Sequence, residues 1–355
     1  MCFPGLRAFL SALILALVAS PVVVPGPAVA GTASSPRSAV TTPDLAVDAP
    51  FNARPKADPR TKRGLFVDDR MKAANAGDAF KAIGRRAQPL WITDYYASPS
   101  AAREATKAYI SRARSARKTP LLVVYNIPDR DCGLYSSQDD QITDKFYKRW
   151  VAQVANGMRG GKAIVVLEPD AIPFIDNPDC TGRGDRLGLL RFATKKLTQA
   201  GAWVYIDAGH SGWRSSTHMA PLLKKAGIKQ ARGFATNVAN SRTNKNEAAY
   251  ARSLIKQLKK RKIKGVRYIV DTSRNGAGKK GPANGDVCNP LAARIGADPR
   301  LIFKGAFDGR LWVKLPGESD GPCNGGPGSG EFFPTGACRL LKGADFYYDG
   351  SVCRK

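Results

Sequence analysis

A chain of 355 residues with 43% hydrophobic content carries enough apolar material for one large α/β domain or two small ones, which excludes a wholly disordered protein. The formal charge of +27 leaves an anionic partner open, whereas the presence of only two histidines excludes a histidine-rich metallohydrolase.

At the start, Arg7 precedes an apolar stretch from Ala8 to about Val24, and Ala28-Val-Ala30 supplies a small-residue cleavage site before Gly31. That stretch falls short of the roughly 20 uninterrupted residues a spanning helix needs, and Pro21 and Pro25 break it. Residues 1–30 are therefore expected to be a signal peptide of a secreted protein with no stable membrane anchor. Its removal takes away Cys2 and leaves Cys132, Cys180, Cys288, Cys323, Cys338 and Cys353, an even set suited to three disulfides. No C-x2-C pair is present, so a Cys/His metal site is not expected. Residues 31–60, rich in Ser, Thr, Pro and Ala, read as a flexible arm. Residues 61–355 read as a single domain, its folded part starting near Gly64-Leu-Phe-Val-Asp68.

From Lys72 to Arg117 the pattern is helix, strand, helix, with the strand at Pro89-Leu-Trp-Ile-Thr93. The runs Leu121-Leu-Val-Val-Tyr125, Ala163-Ile-Val-Val-Leu167 and Tyr268-Ile-Val270 have the length and β-branched content of strands buried on both faces, and helical stretches separate them. Six apolar runs end in polar clusters: Tyr125 to Asp131, Leu167 to Asp170, Ile206 to His210, Thr236 to Asn240, Val270 to Asn275, and Trp312 to Asp320. With the strand at Pro89 that makes seven. Strands alternating with helices imply an α/β fold with a parallel sheet, and if the sheet closes into a barrel the polar clusters gather at one rim. The densest basic run, Lys259-Lys-Arg-Lys262, ends a stretch with helical apolar spacing and reads as a solvated helix end; without interleaved aromatics, nucleic-acid binding is not expected. The tail from Pro316 to Lys355 holds the loop Gly325-Gly-Pro-Gly-Ser-Gly330 and two cysteines that offer a covalent clamp.

One aspartate after a strand is usually a helix cap. Asp131, Asp170, Asp207 and Asp320 at a single rim are different, because crowding carboxylates raises some of their pKa values at a cost to folding. Enzymes that cleave glycosidic bonds use such sets, with one carboxylic acid protonating the leaving oxygen and one carboxylate activating water. Rival chemistries lack their parts. Gly209-His-Ser-Gly-Trp213 fails as a nucleophile elbow because Trp213 stands where the last glycine belongs, and no P-loop or G-x-G-x-x-G follows a strand.

Tyr125-Asn-Ile-Pro-Asp-Arg-Asp-Cys132, Glu168-Pro-Asp170, Tyr205-Ile-Asp-Ala-Gly-His-Ser-Gly-Trp213, Gly233-Phe-Ala-Thr-Asn-Val-Ala-Asn240, Asp271-Thr-Ser-Arg-Asn-Gly276 and Trp312-Val-Lys-Leu-Pro-Gly-Glu-Ser-Asp-Gly321 resemble, in order, the motifs of glycoside hydrolase family 6. The resemblance implies an inverting cellulase on a distorted seven-stranded parallel β/α barrel, TIM-barrel-like, with its cleft at the C-terminal rim of the strands. It implies Asp170 as proton donor, Asp131 as the neighbour that keeps the donor protonated and helps place water, and Asp320 as the base. Ser137 would hold a water, Tyr125 would crowd the distorted sugar, and Asp207 would orient basic and polar neighbours. Trp91 and Trp213 match stacking platforms for glucose rings; His210, Asn240, Lys314 and Glu318 match hydroxyl-binding groups. Thr93 stands where many members carry an acidic residue. The same resemblance implies the disulfides Cys132–Cys180 and Cys288–Cys323, which leaves Cys338 with Cys353 as an addition to the family pattern. No metal or organic cofactor is implied, and the protein is expected to be a monomer acting on a β-glucan. Val287 and Ser216 stand where cellobiohydrolases have further stacking tryptophans, and the spans between motifs are short, so an open cleft and endo-action are expected, the alternatives being an exo-acting cellobiohydrolase or a weakly catalytic polysaccharide-binding surface protein.

Overall fold

The computed structural model describes residues 57–133, 142–177 and 184–355. Its core is an eight-stranded sheet in the order β1-β2-β3-β4-β5-β6-β8-β7. The strands are β1 (Leu90–Ile92), β2 (Leu121–Val124), β3 (Ile164–Leu167), β4 (Trp203–Asp207), β5 (Gly233–Thr236), β6 (Arg267–Asp271), β7 (Arg300–Lys304) and β8 (Phe307–Leu311). Seven of them run parallel, in agreement with the sequence, and β7 is an additional antiparallel edge strand. The count is therefore eight, not seven, and the sheet curls into a half-barrel whose two edges are β1 and β7. A two-residue turn, Gly305-Ala306, is enough to send β7 back along β8; five of the six parallel steps are made through a crossover helix, and the sixth, from β6 to β8, through the long connection that contains β7.

Those crossovers are α2 (Pro99–Ser115), α3 (Asp144–Met158), α4 (Arg186–Gln199), α5 (Ser216–Lys225) and α6 (Asn244–Lys260), after a single turn α1 (Lys81–Gly84). Each long helix starts on a capping side chain: Ser98, Thr143, Asp185, Ser215 and Thr243 accept backbone N–H groups two or three residues into the helix. The starts lie at the rim, because each follows a strand's C-terminal loop.

Strand alternation builds two cores. Leu121, Val123, Ile164, Val166, Tyr205, Ala235, Ile269 and Leu311 fill the inside of the curl. Leu122, Val124, Val165, Leu167, Val204, Ile206, Phe234 and Val270 face the helices and join Trp150, Tyr109 and Leu254. Most are fully buried, each worth about 1.5–3 kcal/mol of apolar transfer. The same alternation turns Asp207 and Asp271, the last residues of β4 and β6, inward at the rim, two positions beyond Tyr205 and Ile269.

A third cluster of Phe80, Ile83, Trp312, Ala337 and Cys338 packs the N-terminal segment and α7 (Pro334–Lys342) against the end of β8. Cys338 is bonded to Cys353, tying α7 to the small hairpin of β9 (Tyr347–Tyr348) and β10 (Cys353–Arg354), and Cys288 is bonded to Cys323; both pairings are those expected. Cys180, and with it the expected Cys132–Cys180 bridge, lies outside the described residues, as does Ser137.

The base of the curl is polar and closed. Arg60 is buried, donates to the carbonyls of Ala163 and Gly201, pairs with Asp58 and stacks on Trp203 at 4.1 Å. Ordered packing thus begins before residue 61, inside the segment read from composition as an arm. Arg232 covers Trp203 at 3.9 Å and pairs at 2.7 Å with Asp308, which also accepts the Tyr205 hydroxyl at 2.6 Å.

Candidate active site

The rim gathers the residues singled out from sequence. Asp170 follows β3 in the left-handed backbone region, φ +67°, with Glu168 also there at +47°. Such conformations persist only when surroundings hold them. Here Asp207 does so: its Oδ2 accepts the Asp170 N–H at 2.9 Å and the Gly209 N–H at 3.1 Å. Gly209 itself has φ +65°, and a Cβ there would lie 2.8 Å from Pro173. The hydrogen bonds of Asp207 are to polar neighbours, the backbone amides of Asp170 and Gly209. Burial raises the Asp207 pKa to about 7 against these amides. Asp170 is pushed well above the ordinary carboxylate range by burial first, then by the charges of Asp207 and Asp131. Asp131 sits beyond β2 with φ +60° in the turn Arg130–Gly133.

Asp320 is treated in the opposite way. Burial works against its charge, yet Arg274 and Lys314 outweigh that and hold it well below the ordinary range. Arg274 Nη1 meets Oδ2 at 2.5 Å, Lys314 Nζ meets Oδ1 at 2.9 Å, and the Asn289 N–H donates to Oδ2 at 2.8 Å. Asn289 in turn accepts the Asp320 N–H at 2.9 Å and donates through its side-chain amide to Ser319, Gly321 and Cys323, beside the Cys288–Cys323 bridge. Arg274 also donates to the Ala239 and Val287 carbonyls.

Two further carboxylates brace the rim. Asp271 accepts N–H groups from Ala239, Ser273, Val313 and Lys314 at 2.8–3.2 Å, joining the ends of β5, β6 and β8. Glu168 accepts the N–H groups of Asn126 and Ile127 and the Tyr147 hydroxyl, joining β2 to β3. Neither was singled out from sequence, nor were Arg274 and Asn289. The signal for Arg274 and Asp271 was their place in the strand-end motif Asp271 to Gly276; Asn289 gave none.

The ring and hydroxyl-binding candidates also assemble. Trp91 and Tyr125 meet edge to face at 5.5 Å, and Trp91 Nε1–H donates to the Val313 carbonyl at 2.9 Å, bridging the open seam between β1 and the chain after β8. Thr93 Oγ1 accepts the Tyr95 N–H, and its neighbour Asp94 pairs with Arg130 at 2.7 Å. Trp213 rests on Phe174 at 4.8 Å and lies 5.6 Å from His210. His210 Nδ1 accepts the Gly212 N–H, so the proton is on Nε2, and burial together with Arg242 lowers its pKa to about 4. Asn240 Nδ2 donates to its own turn at the Val238 carbonyl. Lys314 and Glu318 line a cavity of about 460 Å³, opening included, with Arg274, Phe333 and Arg339. Val287 is exposed, and Ser216 Oγ is engaged by Ser253 at 2.7 Å, so neither supplies a platform.

A parallel β/α half-barrel whose rim raises the pKa of one carboxyl and lowers that of another has the divergent pair that carboxylate-based hydrolases of the barrel class use. The chain belongs to glycosyl hydrolases family 6, whose sequence profile matches residues 56–344. It is 39% identical over 295 residues to endoglucanase A of Cellulomonas fimi, which covers 81% of this chain but only 62% of that relative's length. Exoglucanase 3 of Agaricus bisporus is 29% identical over 252 residues, covering 60% of this chain and 57% of its own length. Among solved structures, the endoglucanase Cel6 of Mycobacterium tuberculosis, in complex with methyl-cellobiosyl-4-deoxy-4-thio-β-D-cellobioside, superposes with a TM-score of 0.73 at 34% identity, covering 80% of this chain and 98% of that one.

Proposed function

We propose that this protein is an exported endo-β-1,4-glucanase that hydrolyses cellulose or a soluble β-glucan with inversion. The observation that carries the reading is the divergence of two carboxyl groups: Asp170 is held protonated by burial and by Asp207 and Asp131, while Asp320 is held ionised by Arg274 and Lys314. Asp170 donates its proton to the departing glycosidic oxygen. Asp320 takes a proton, directly or through water held by Ser137, from the water that attacks the opposite face of the sugar. Asp131 and Asp207 keep Asp170 loaded, Tyr125 presses on the distorted ring, and Trp91 and Trp213 carry flanking glucose rings on their faces. His210, neutral above pH 5, offers its Nε2–H to a sugar hydroxyl, as Lys314, Glu318, Thr93 and Asn240 offer their polar groups.

Endo-action is supported by Val287 and Ser216, which leave the cleft without two platforms that favour sliding along a chain end. Inversion requires donor and base about 6.5–9.5 Å apart, with water between base and sugar.

The test is viscosity loss against reducing ends on carboxymethylcellulose, with Asp170→Ala alongside and the anomer of the first product read by proton NMR. A fast viscosity drop, an α-anomeric product and loss of both in the variant support the reading. Slow thinning with steady cellobiose release would make the enzyme exo-acting, and a β-anomer would reject inversion. Export is tested by sequencing the N-terminus of the mature protein, which should begin at Gly31.

A further inference from the structure

The parallel fold sorts the chain's charge by end. On the cleft side, acidic residues sit at helix starts in three places: Asp144 in the first turn of α3, Asp185 at the cap of α4 and Glu247 in the first turn of α6. At the opposite end, the connections from α2 to β2, α3 to β3, α4 to β4, α5 to β5 and α6 to β6 contain no acidic residue at all. Neither do the last turns of those helices. Instead this end presents Lys118 after α2, Lys162 after α3, Lys229 after α5, Lys262 and Lys264 after α6, and Lys304 at the β7–β8 turn, all exposed. The acids described at the base, Asp58 and Asp308, are consumed by Arg60 and Arg232.

Cations at helix C-termini complement the helix dipole, and that accounts for the basic last turns of α2, α4, α5 and α6. It does not reach the lysines in the loops beyond: Lys162 feels Asp58, which is already paired with Arg60, and among the described residues Lys118, Lys229, Lys262, Lys264 and Lys304 form no ion pair with a carboxylate, so their mutual repulsion stands. We propose that this face, opposite the cleft, is a docking surface for an acidic polysaccharide of the polyuronate class. Three features select that partner. The face carries lysines more than arginines, Arg117, Arg159, Arg232 and Arg261 being the arginines of these connections, so it offers mobile, hydrated point charges suited to anionic groups scattered along a polymer rather than rigid forks that fix one anionic group bidentately. Among the described residues it has no exposed aromatic side chain on which bases could stack, and none of the exposed large apolar side chains belongs to the helix-to-strand connections, so anchors for a nucleic acid or a membrane are missing from them. Finally, it lies at the far end of the barrel from the carboxylates of the cleft, so a polyanion held there leaves the cleft open to a neutral glucan.

The experiment compares binding of the full-length mature chain to immobilised polygalacturonate at low and physiological salt. One variant carries Lys118→Glu, Lys229→Glu, Lys264→Glu and Lys304→Glu; a control carries Lys107→Glu, Lys145→Glu, Lys148→Glu and Lys245→Glu, on helix flanks and near the rim, with the same change in net charge. The base variant should bind about tenfold or more weakly and the control within about twofold of the parent, with hydrolysis of short neutral cello-oligosaccharides unchanged in both. A set with glutamine at the four base positions should give an intermediate loss and guards against misfolding of the reversed one. Equal weakening in both reversed variants would mean net charge and not the face. Tighter or equal binding of duplex DNA or anionic vesicles at the same salt would overturn the polyuronate assignment, as would no binding by the parent at low salt.

Discussion

The backbone N–H of Asp170 donates to the Oδ2 oxygen of Asp207 at 2.9 Å, so the carboxylate that positions the Asp170 main chain also disfavours charge on the Asp170 side chain. One residue thus acts on both geometry and acidity, the acidity being raised by burial first. Asp207→Asn keeps an oxygen for the amide but removes the charge. Asp170 then ionises at lower pH, and the alkaline limb of kcat/KM should move acidward while the acid limb stays. An unmoved alkaline limb would reject electrostatic coupling between the two.

Asp170→Ala should lower kcat by about 10²–10⁴-fold on cello-oligosaccharides and far less on an aryl cellobioside with a good leaving group, because only the former needs the proton. Equal losses on both substrates would mean Asp170 does not act as the donor.

Lys314→Met removes a cation that keeps Asp320 ionised. The Asp320 pKa should rise, and because the base works only as its anion, the acid limb of the rate profile should move to higher pH. An acid limb that stays in place would exclude Asp320 as the group behind it.

Tyr147→Phe deletes the hydroxyl that donates to buried Glu168 at 2.8 Å, at a cost of about 1–3 kcal/mol. Burial raises Glu168 to about 7 in the fold from 4.5, so its contribution is full below pH 4.5 and is lost as pH rises through 7. The lost hydrogen bond favoured the anion, so the variant should be destabilised more at pH 8 than at pH 5. Urea unfolding at both values decides it; equal destabilisation would reject the linkage.

At the base, Arg232→Met strands the fully buried Asp308 carboxylate and should cost about 3–5 kcal/mol in thermal unfolding. Adding Asp308→Asn should recover much of that, a coupling that two independent sites would not show.

Asp131, Asp170, Asp207 and Asp320 are legible because each lies in the polar cluster that ends an apolar run, and strand alternation alone turns Asp207 inward at the rim. Their opposed acidities were not legible. Asp320 is held by Arg274 and Asn289, 46 and 31 residues away, and such cages exist only once β6 and the segment after β8 lie side by side. Strand β7 escaped notice because Arg300-Leu-Ile-Phe-Lys304 is half exposed and charged at both ends, unlike the wholly apolar parallel strands. The Arg60 anchor was hidden for the reverse reason: a Pro- and Ala-rich neighbourhood looks uncommitted until one guanidinium finds two strand-end carbonyls.

The seam between β1 and the segment after β8 is crossed by the indole of Trp91, hydrogen-bonded to Val313. A sugar resting on that ring therefore loads the staple as well as the wall. Occupancy of the cleft should stiffen β1, and its amides should exchange with deuterium more slowly when a cello-oligosaccharide is bound, so that the polymer being cut acts for a moment as part of the scaffold that cuts it.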